Sequence, residues 1–323
     1  MSVFRSLADV SYLTKGSHEG AVLVHPEIWQ MPDIPDYDQG QILMKRNLNP
    51  DRVQVVLSGG GAGGPEFDAC VGDGLADVSV VGGFHASPNA YSIYQAVKYI
   101  GSRKGAVLLF NNFMGDCLNN DMAKELLELE GYPASCIIIN DDCLSMPIEK
   151  RSERVGIQGI MLMVKIASSC AEAGMSLEQI TDVLNAANQR LSSVALSIDY
   201  DSEKLMMGAG FSGEPPRKIL DEFTMEKAVS ECYDTLYDDL KPKENEKIFL
   251  MVGRQGRIIY EEAYIFAKEL SDYSAGKKKI DHLDVGYYTR LTMTDGFHIT
   301  MLCADAALEK HLKKECITDS FWL

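Results

Sequence analysis

Three turns that follow apolar runs hold the residues best suited to chemistry. The first is VVLSGGGAGGPEF (55–67). Its Gly60, Gly61, Ala62, Gly63 and Gly64 let the backbone come close to a ligand, and successive free N–H groups there can cradle an anion or a sugar oxygen. Gly59-x-Gly61-x-x-Gly64 also matches the dinucleotide fingerprint, but no strand-end acid follows about 20 residues on to hold a ribose. The phosphate-loop pattern GxxxxGK[ST] is absent. The competing reading is a plain strand-to-helix turn. The second turn is LLFNNFMGDCLNND (108–121), with Asn111, Gly115 and Asp116. An aspartate at a strand end can accept a hydroxyl proton or hold a sugar hydroxyl. It can equally cap the next helix. The third is MMGAGFSGEPPRKI (206–219), which presents Ser212. None of the histidines (18, 25, 85, 282, 298 and 311) is tied to Ser212 by spacing, and a serine without a base is a weak nucleophile.

The elements that must position these turns follow from hydrophobic periodicity. Strands are expected at 53–57, 105–110, 135–140, 194–198, 205–211, 247–253, 282–289 and 297–302. Helices are expected at 87–101, 120–130, 154–173, 177–190, 223–240, 258–271 and 304–315. Ser176-Leu177-Glu178-Gln179 reads as a capped helix start, and Ser87-Pro88 places a proline at a first helical position. Strand and helix alternate over 53–140, which argues for a largely parallel sheet flanked by helices. Two consecutive helices then precede a second strand set. The expected fold is α/β with two domains, each a mixed or largely parallel sheet flanked by helices. The boundary falls near residue 190, giving 1–190 with the glycine-rich loop and 191–323 with the Ser212 turn.

Composition narrows the function class. The chain has 323 residues, 46% of them apolar, which suffices for two substantial cores. Net charge is −16 and the 31 Lys and Arg form no basic stripe, so nucleic acid and anionic membrane are not expected partners. The eight cysteines form no C-x-x-C pair, sit mostly in apolar runs and lack zinc-site spacing. No metal is expected. The N-terminal MSVFRSLADV lacks the apolar core of a signal peptide, and no apolar run would span a bilayer. The expectation is a cytoplasmic protein with reduced thiols.

In their order along the chain, LSGGGAGGPEF, ASPNAYSIYQAV, GAVLLFNNFMGDCLN, INDDC, MGAGFSGEPP and YYTRLTMTDGFHITML resemble the dihydroxyacetone-binding subunits of dihydroxyacetone kinases, the DhaK family. The resemblance covers most of the chain. It implies two α/β domains, a homodimer and a small hydroxylated substrate. It also implies that ADP or ATP with Mg²⁺ is carried by a separate DhaL-like subunit, with a phosphotransferase-system donor, and that no cofactor binds this chain directly.

The departures are specific. The family turn matching MGAGFSGEPP carries a histidine that forms a covalent hemiaminal with the substrate carbonyl, and here that place is Ser212. The histidine of the family's glycine loop is here Gly64, and its lysine five residues before the aspartate is here Asn111. Asp116 alone remains of the polar set, with backbone donors around Gly61 and Gly63. Two functions follow. One is a glycerone-kinase-type phosphotransferase subunit that binds substrate non-covalently, with Asp116 orienting or deprotonating a hydroxyl. The alternative is a catalytically inactive paralogue, a ligand sensor or co-activator working with a transcription regulator.

A serine hydroxyl cannot supply the hemiaminal nitrogen. Intact-protein mass spectrometry after reduction is therefore expected to find no dihydroxyacetone adduct. Ser212→His alone should not restore turnover, because Gly64 and Asn111 leave the carbonyl oxygen and the transferring proton unsupported. A stable adduct on the unmodified chain overturns the loss of covalent capture.

Overall fold

The structure, a computed structural model, describes residues 13–61, 68–84, 86–209, 215–289 and 295–316. The chain divides into two compact units. The first takes the chain up to Ile138 together with Leu162–Leu184 and the residues from Lys314. The second takes Ile139–Met161 and Asn185–Lys313.

The first unit runs α1 (Leu13–Val24), β1 (Trp29–Gln30), β2 (Ile42–Lys45), β3 (Gln54–Gly61), β4 (Val78–Phe84), α2 (Ala90–Ile100), β5 (Ala106–Asn111), α3 (Met114–Leu129) and β6 (Ala134–Ile139). Two further helices follow, α4 (Ile160–Glu172) and α5 (Leu177–Asn188). The sheet order is β1-β2-β4-β3-β5-β6. The β4-β3-β5 core is parallel, and β1 and β2 join its β4 edge antiparallel. Consecutive residues Val55, Val56 and Leu57, and all of Ala106–Phe110, are fully buried. Burial on both faces is the mark of central parallel strands covered by helices, and explains their unbroken apolar runs. Ile42, Met44, Val56, Val80, Leu108 and Phe110 pack with Ile93 and Val97 of α2 and Leu127 of α3.

The second unit runs β7 (Leu191–Asp199), β8 (Lys204–Met207), β9 (Lys218–Leu220), α6 (Met225–Leu240), β10 (Lys247–Gln255), α7 (Tyr260–Ser274), β11 (His282–Gly286), β12 (Asp295–Ala304) and α8 (Ala306–Leu312). Its sheet order is β11-β10-β12-β7-β8-β9, and every pair except β10/β11 is antiparallel. Two mixed sheets flanked by helices are therefore the architecture.

All eight expected strands and all seven expected helices are present, with ends displaced by up to six residues. Several elements go beyond the sequence reading: α1, β1, β2, β4 and β9. The Ser176 start holds, since Gln179 N donates to Ser176 Oγ (3.2 Å) and Ser176 N donates to Gln179 Oε1 (2.9 Å). The Ser87-Pro88 start does not. α2 begins at Ala90 behind the N-cap Asn89, whose Oδ1 accepts from Ser92 N (2.8 Å), because an Asx side chain satisfies an orphan amide that proline leaves open. Among the described residues no helix is long and apolar enough to cross a membrane.

The second unit is fastened by buried charge. Arg154 donates from both terminal nitrogens to Asp239 of α6 (2.7 and 2.9 Å), and Ser192 of β7 also donates to that carboxylate. Asp239→Ala would strand a guanidinium that is 1% exposed. The expected cost is about 3–5 kcal/mol, read as a lower urea midpoint. Arg154→Met combined with Asp239→Leu should recover part of it, because removing both charges removes the stranded one. A midpoint unmoved by Asp239→Ala contradicts this account.

Candidate functional site

The carboxyl ends of the parallel strands β3, β4 and β5 carry the expected residues of the first unit. Ligands of open α/β sheets are held at such ends. Gly60 and Gly61 are still part of β3, so the strand runs four residues further than the apolar run alone indicates. Its pairing with β4 shifts between Gly59 and Gly61, where Gly59 faces Val81 and Gly61 faces Phe84. Gly82 of β4 lets the following backbone fold tightly back. A Cβ there would lie 1.9 Å from the carbonyl oxygen of Ala86. Ala62, Gly63, Gly64 and Ser212 lie outside the described residues.

Asn111 is the last residue of β5 and is buried, and Gly115 and Asp116 fall in the first turn of α3. The expected strand-end loop is thus shorter than the sequence reading, which started this helix at residue 120. The N-cap of α3 is Phe113, which offers no side-chain acceptor, so Asp116 does not cap the helix as the competing reading held. Gly115 admits a close neighbour, because a Cβ there would sit 2.8 Å from Ser87 Oγ. Asn119 Nδ2 donates to that same hydroxyl (2.9 Å).

A buried ladder fixes the turn against β3. Ser58 Oγ donates to Asn120 Oδ1 (2.9 Å), and Asn120 Nδ2 donates to the Asp116 carbonyl (2.9 Å). Below the glycine segment, Asp68 accepts from Ser79 Oγ (2.8 Å) and pairs with buried His18 at 3.2 Å. Burial of His18 lowers its pKa, but the adjoining carboxylate outweighs this and the imidazole ends above its ordinary value. Ser58, Ser87, Asn119, Asn120 and His18 were not anticipated as supports. The contacts Ser58–Asn120, Ser87–Asn119 and His18–Asp68 join residues far apart in sequence, so no local spacing announces them.

Asp116 stands apart from the other carboxylates of this unit. It is 5% exposed, and its Oδ1 is buried without a hydrogen-bond partner. Desolvation pushes its pKa up from 3.8 to about 7, with no offsetting cation or donor among the described residues. A carboxyl poised there can exchange a proton near neutrality. The same described residues hold no cluster of three or more His, Cys, Asp or Glu placed to bind a metal.

Comparisons with known proteins identify the family. The Dak1 domain model matches residues 19–320. This chain belongs to the Dak1 family. The Dak1 chain is 26% identical over 305 residues to the dihydroxyacetone-binding subunit DhaK of PTS-dependent dihydroxyacetone kinase 2 from Listeria innocua, covering 90% of this chain and 91% of that one. The solved dihydroxyacetone kinase of C. freundii in complex with AMP-PNP and Mg²⁺ superposes with a TM-score of 0.86 at 25% identity. That match covers 98% of this chain but 60% of the longer kinase. The solved dihydroxyacetone kinase operon co-activator Dha-DhaQ superposes with a TM-score of 0.84 at 20% identity, over 94% of this chain and 96% of that one.

The Asp116 environment of this Dak1 chain sets a sign for stability. A carboxyl raised from 3.8 to about 7 leaves the folded state fully stable only below about pH 4, and stability falls as pH rises toward and through 7. At roughly 1.4 kcal/mol per pH unit the full penalty is about 4 kcal/mol. Asp116→Asn removes the charge and keeps the shape. It should raise the melting temperature at pH 8, and the gain should shrink toward pH 5. A gain that is constant across that range would show that Asp116 is not desolvated.

Proposed function

We propose that the chain is the substrate-binding subunit of a dihydroxyacetone-kinase-type phosphotransferase, holding a small hydroxylated compound without a covalent link. The observation that carries this is Asp116, a buried carboxyl with an unpartnered oxygen and a pKa near 7, at the carboxyl ends of parallel strands. A ligand hydroxyl supplies the donor that Oδ1 lacks. In transfer, the hydroxyl oxygen attacks phosphorus, the bond from phosphorus to its donor breaks, and the hydroxyl proton passes to the Asp116 carboxylate. ADP or ATP and Mg²⁺ belong to a separate DhaL-like subunit in this reading, and the chain works as a homodimer. Phosphoryl transfer depends mainly on positioning and electrostatics, so loss of the covalent anchor at Ser212 does not forbid it.

A second reading has its own support. Asn111 stands where the resembling family has lysine, and no cation offsets Asp116 among the described residues. A site stripped of cations suits binding better than transfer, which favours a ligand sensor acting with a transcription regulator.

Turnover separates the two. The chain is mixed with a DhaL-type subunit, nucleotide and either dihydroxyacetone or erythrulose, and the phosphorylated product is followed by phosphorus NMR. The kinase reading expects turnover whose kcat/KM rises through about pH 7 as Asp116 deprotonates. Asp116→Asn should cut kcat by about 100-fold or more while calorimetric affinity changes far less. Saturable binding with no turnover by the unmodified chain favours the sensor.

A further inference from the structure

The second unit contains a cavity of about 250 Å³ that no part of the proposed reaction uses. Its floor is Leu196, Leu205, Phe266 and Phe297, each at most 4% exposed. Its rim carries Tyr200 and Phe223, 49% and 38% exposed, with their rings edge to face at 6.4 Å. Apolar cavities of roughly 150 Å³ already take up benzene or xenon, so this one has room for a larger organic molecule. Exposed aromatic rings over an apolar floor are a standing cost to a free protein, which a ligand would relieve.

Charge at the mouth selects the class of that ligand. Glu262 lines the cavity, and its Oε2 accepts from Ile259 N (2.9 Å) at the start of α7. Arg257, near the Tyr200 ring at 5.9 Å, is committed to Asp295 by contacts of 2.8 and 2.6 Å. One carboxylate is thus left over at the rim. Burial and then the Asp295 and Glu262 carboxylates raise the Tyr200 pKa, with Arg257 opposing them. An anionic head group meets repulsion there.

We propose that this cavity is a binding site for an uncharged aromatic or short aliphatic small molecule. Leu205 lies on β8, Phe223 follows β9, and these paired strands bracket residues 208–217 in sequence. A ligand touching both Leu205 and Phe223 restrains the β8/β9 strand pair.

The probe is N-phenyl-1-naphthylamine, compared with its sulfonated analogue 8-anilinonaphthalene-1-sulfonate. Saturable fluorescence at one probe per chain is expected, with the anionic analogue at least tenfold weaker. Ala228→Phe, which fills the cavity from α6, should weaken the neutral probe at least tenfold at unchanged circular dichroism. Ile265→Glu, at a rim position that is 53% exposed, tests the same point without altering the floor and should weaken it about fivefold. Glu262→Gln keeps the helix start, because glutamine serves the same cap, and should narrow the gap between the two probes. Amides of Leu205–Met207 should exchange more slowly with the probe bound. The proposal is overturned if the neutral probe does not saturate, if both blocking variants bind it as well as the parent, or if the anionic probe binds equally well. It is also overturned if the probe fails to bind while Ala228→Phe converts a dimer to a monomer in sedimentation, for then a second copy covers the cavity. Unchanged exchange on saturation overturns the link to the β8/β9 pair.

Discussion

A carboxylate taken out of water without its hydrogen bonds is the constraint around which the first unit is built. Leaving a buried polar atom unpaired costs about 1–3 kcal/mol, and more when it carries charge. Asp116 bears that cost at Oδ1. The fold sustains it with rigid surroundings: fully buried parallel strands on one side and the Ser58–Asn120–Asp116 ladder on the other. The first turn of α3 adds the positive end of a helix dipole, which favours an anion by a few tenths to about 1 kcal/mol. That is too little to offset the desolvation, which is why the pKa stays raised.

The opposite end of β3 shows what the same chemistry looks like when it serves structure. Asp77 is fully buried, yet Lys45 (3.0 Å) and Arg52 (2.6 Å) flank it, and Val55 N donates to it at 2.8 Å. Every charge there has a counter-charge or a donor. Removing Asp77 would strand buried Arg52 and leave Lys45 only the longer pair with Asp73 (3.7 Å), so its role is local fastening at the start of the strand whose far end carries the glycines. Buried ion pairs hold register more than they add stability.

Much of this was legible in the sequence, and the omissions have physical causes. Long apolar runs such as GAVLLF and KIFLMVG announced their strands because both faces are buried. β4 was missed because Gly82 and Gly83 interrupt its apolar run, and Gly82 is there for a backbone contact that no local pattern encodes. α1 was missed because LTKGSHEGAVLV holds two glycines and little apolar periodicity. The start of α3 was placed late because MGDCLNND is rich in residues that resist helix. That delay also changed how Asp116 was seen: as the end of a loop, when it is a side chain held by a helical turn. Its nomination rested on strand-end position and family resemblance. Its surroundings are fixed by contacts distant in sequence, such as Ser58 with Asn120, 62 positions apart.

A raised carboxyl pKa is therefore not by itself a mark of function, and Asp141 makes the point within the same chain. Burial raises its pKa too, but the Ser193 hydroxyl and the Ile157 and Gly159 amides (2.8 and 2.7 Å) all donate to it. Those bonds pin residues 157–159 to β7, and Ser193 continues to Thr300 Oγ1 at 2.7 Å and from there to Gln158 Nε2 at 3.1 Å. With its oxygens satisfied by the protein, Asp141 has nothing to offer a ligand. Asp116 is raised by the same desolvation and has one oxygen left over. What separates the two carboxylates is the donor count: the protein satisfies Asp141 and leaves one oxygen of Asp116 without a donor.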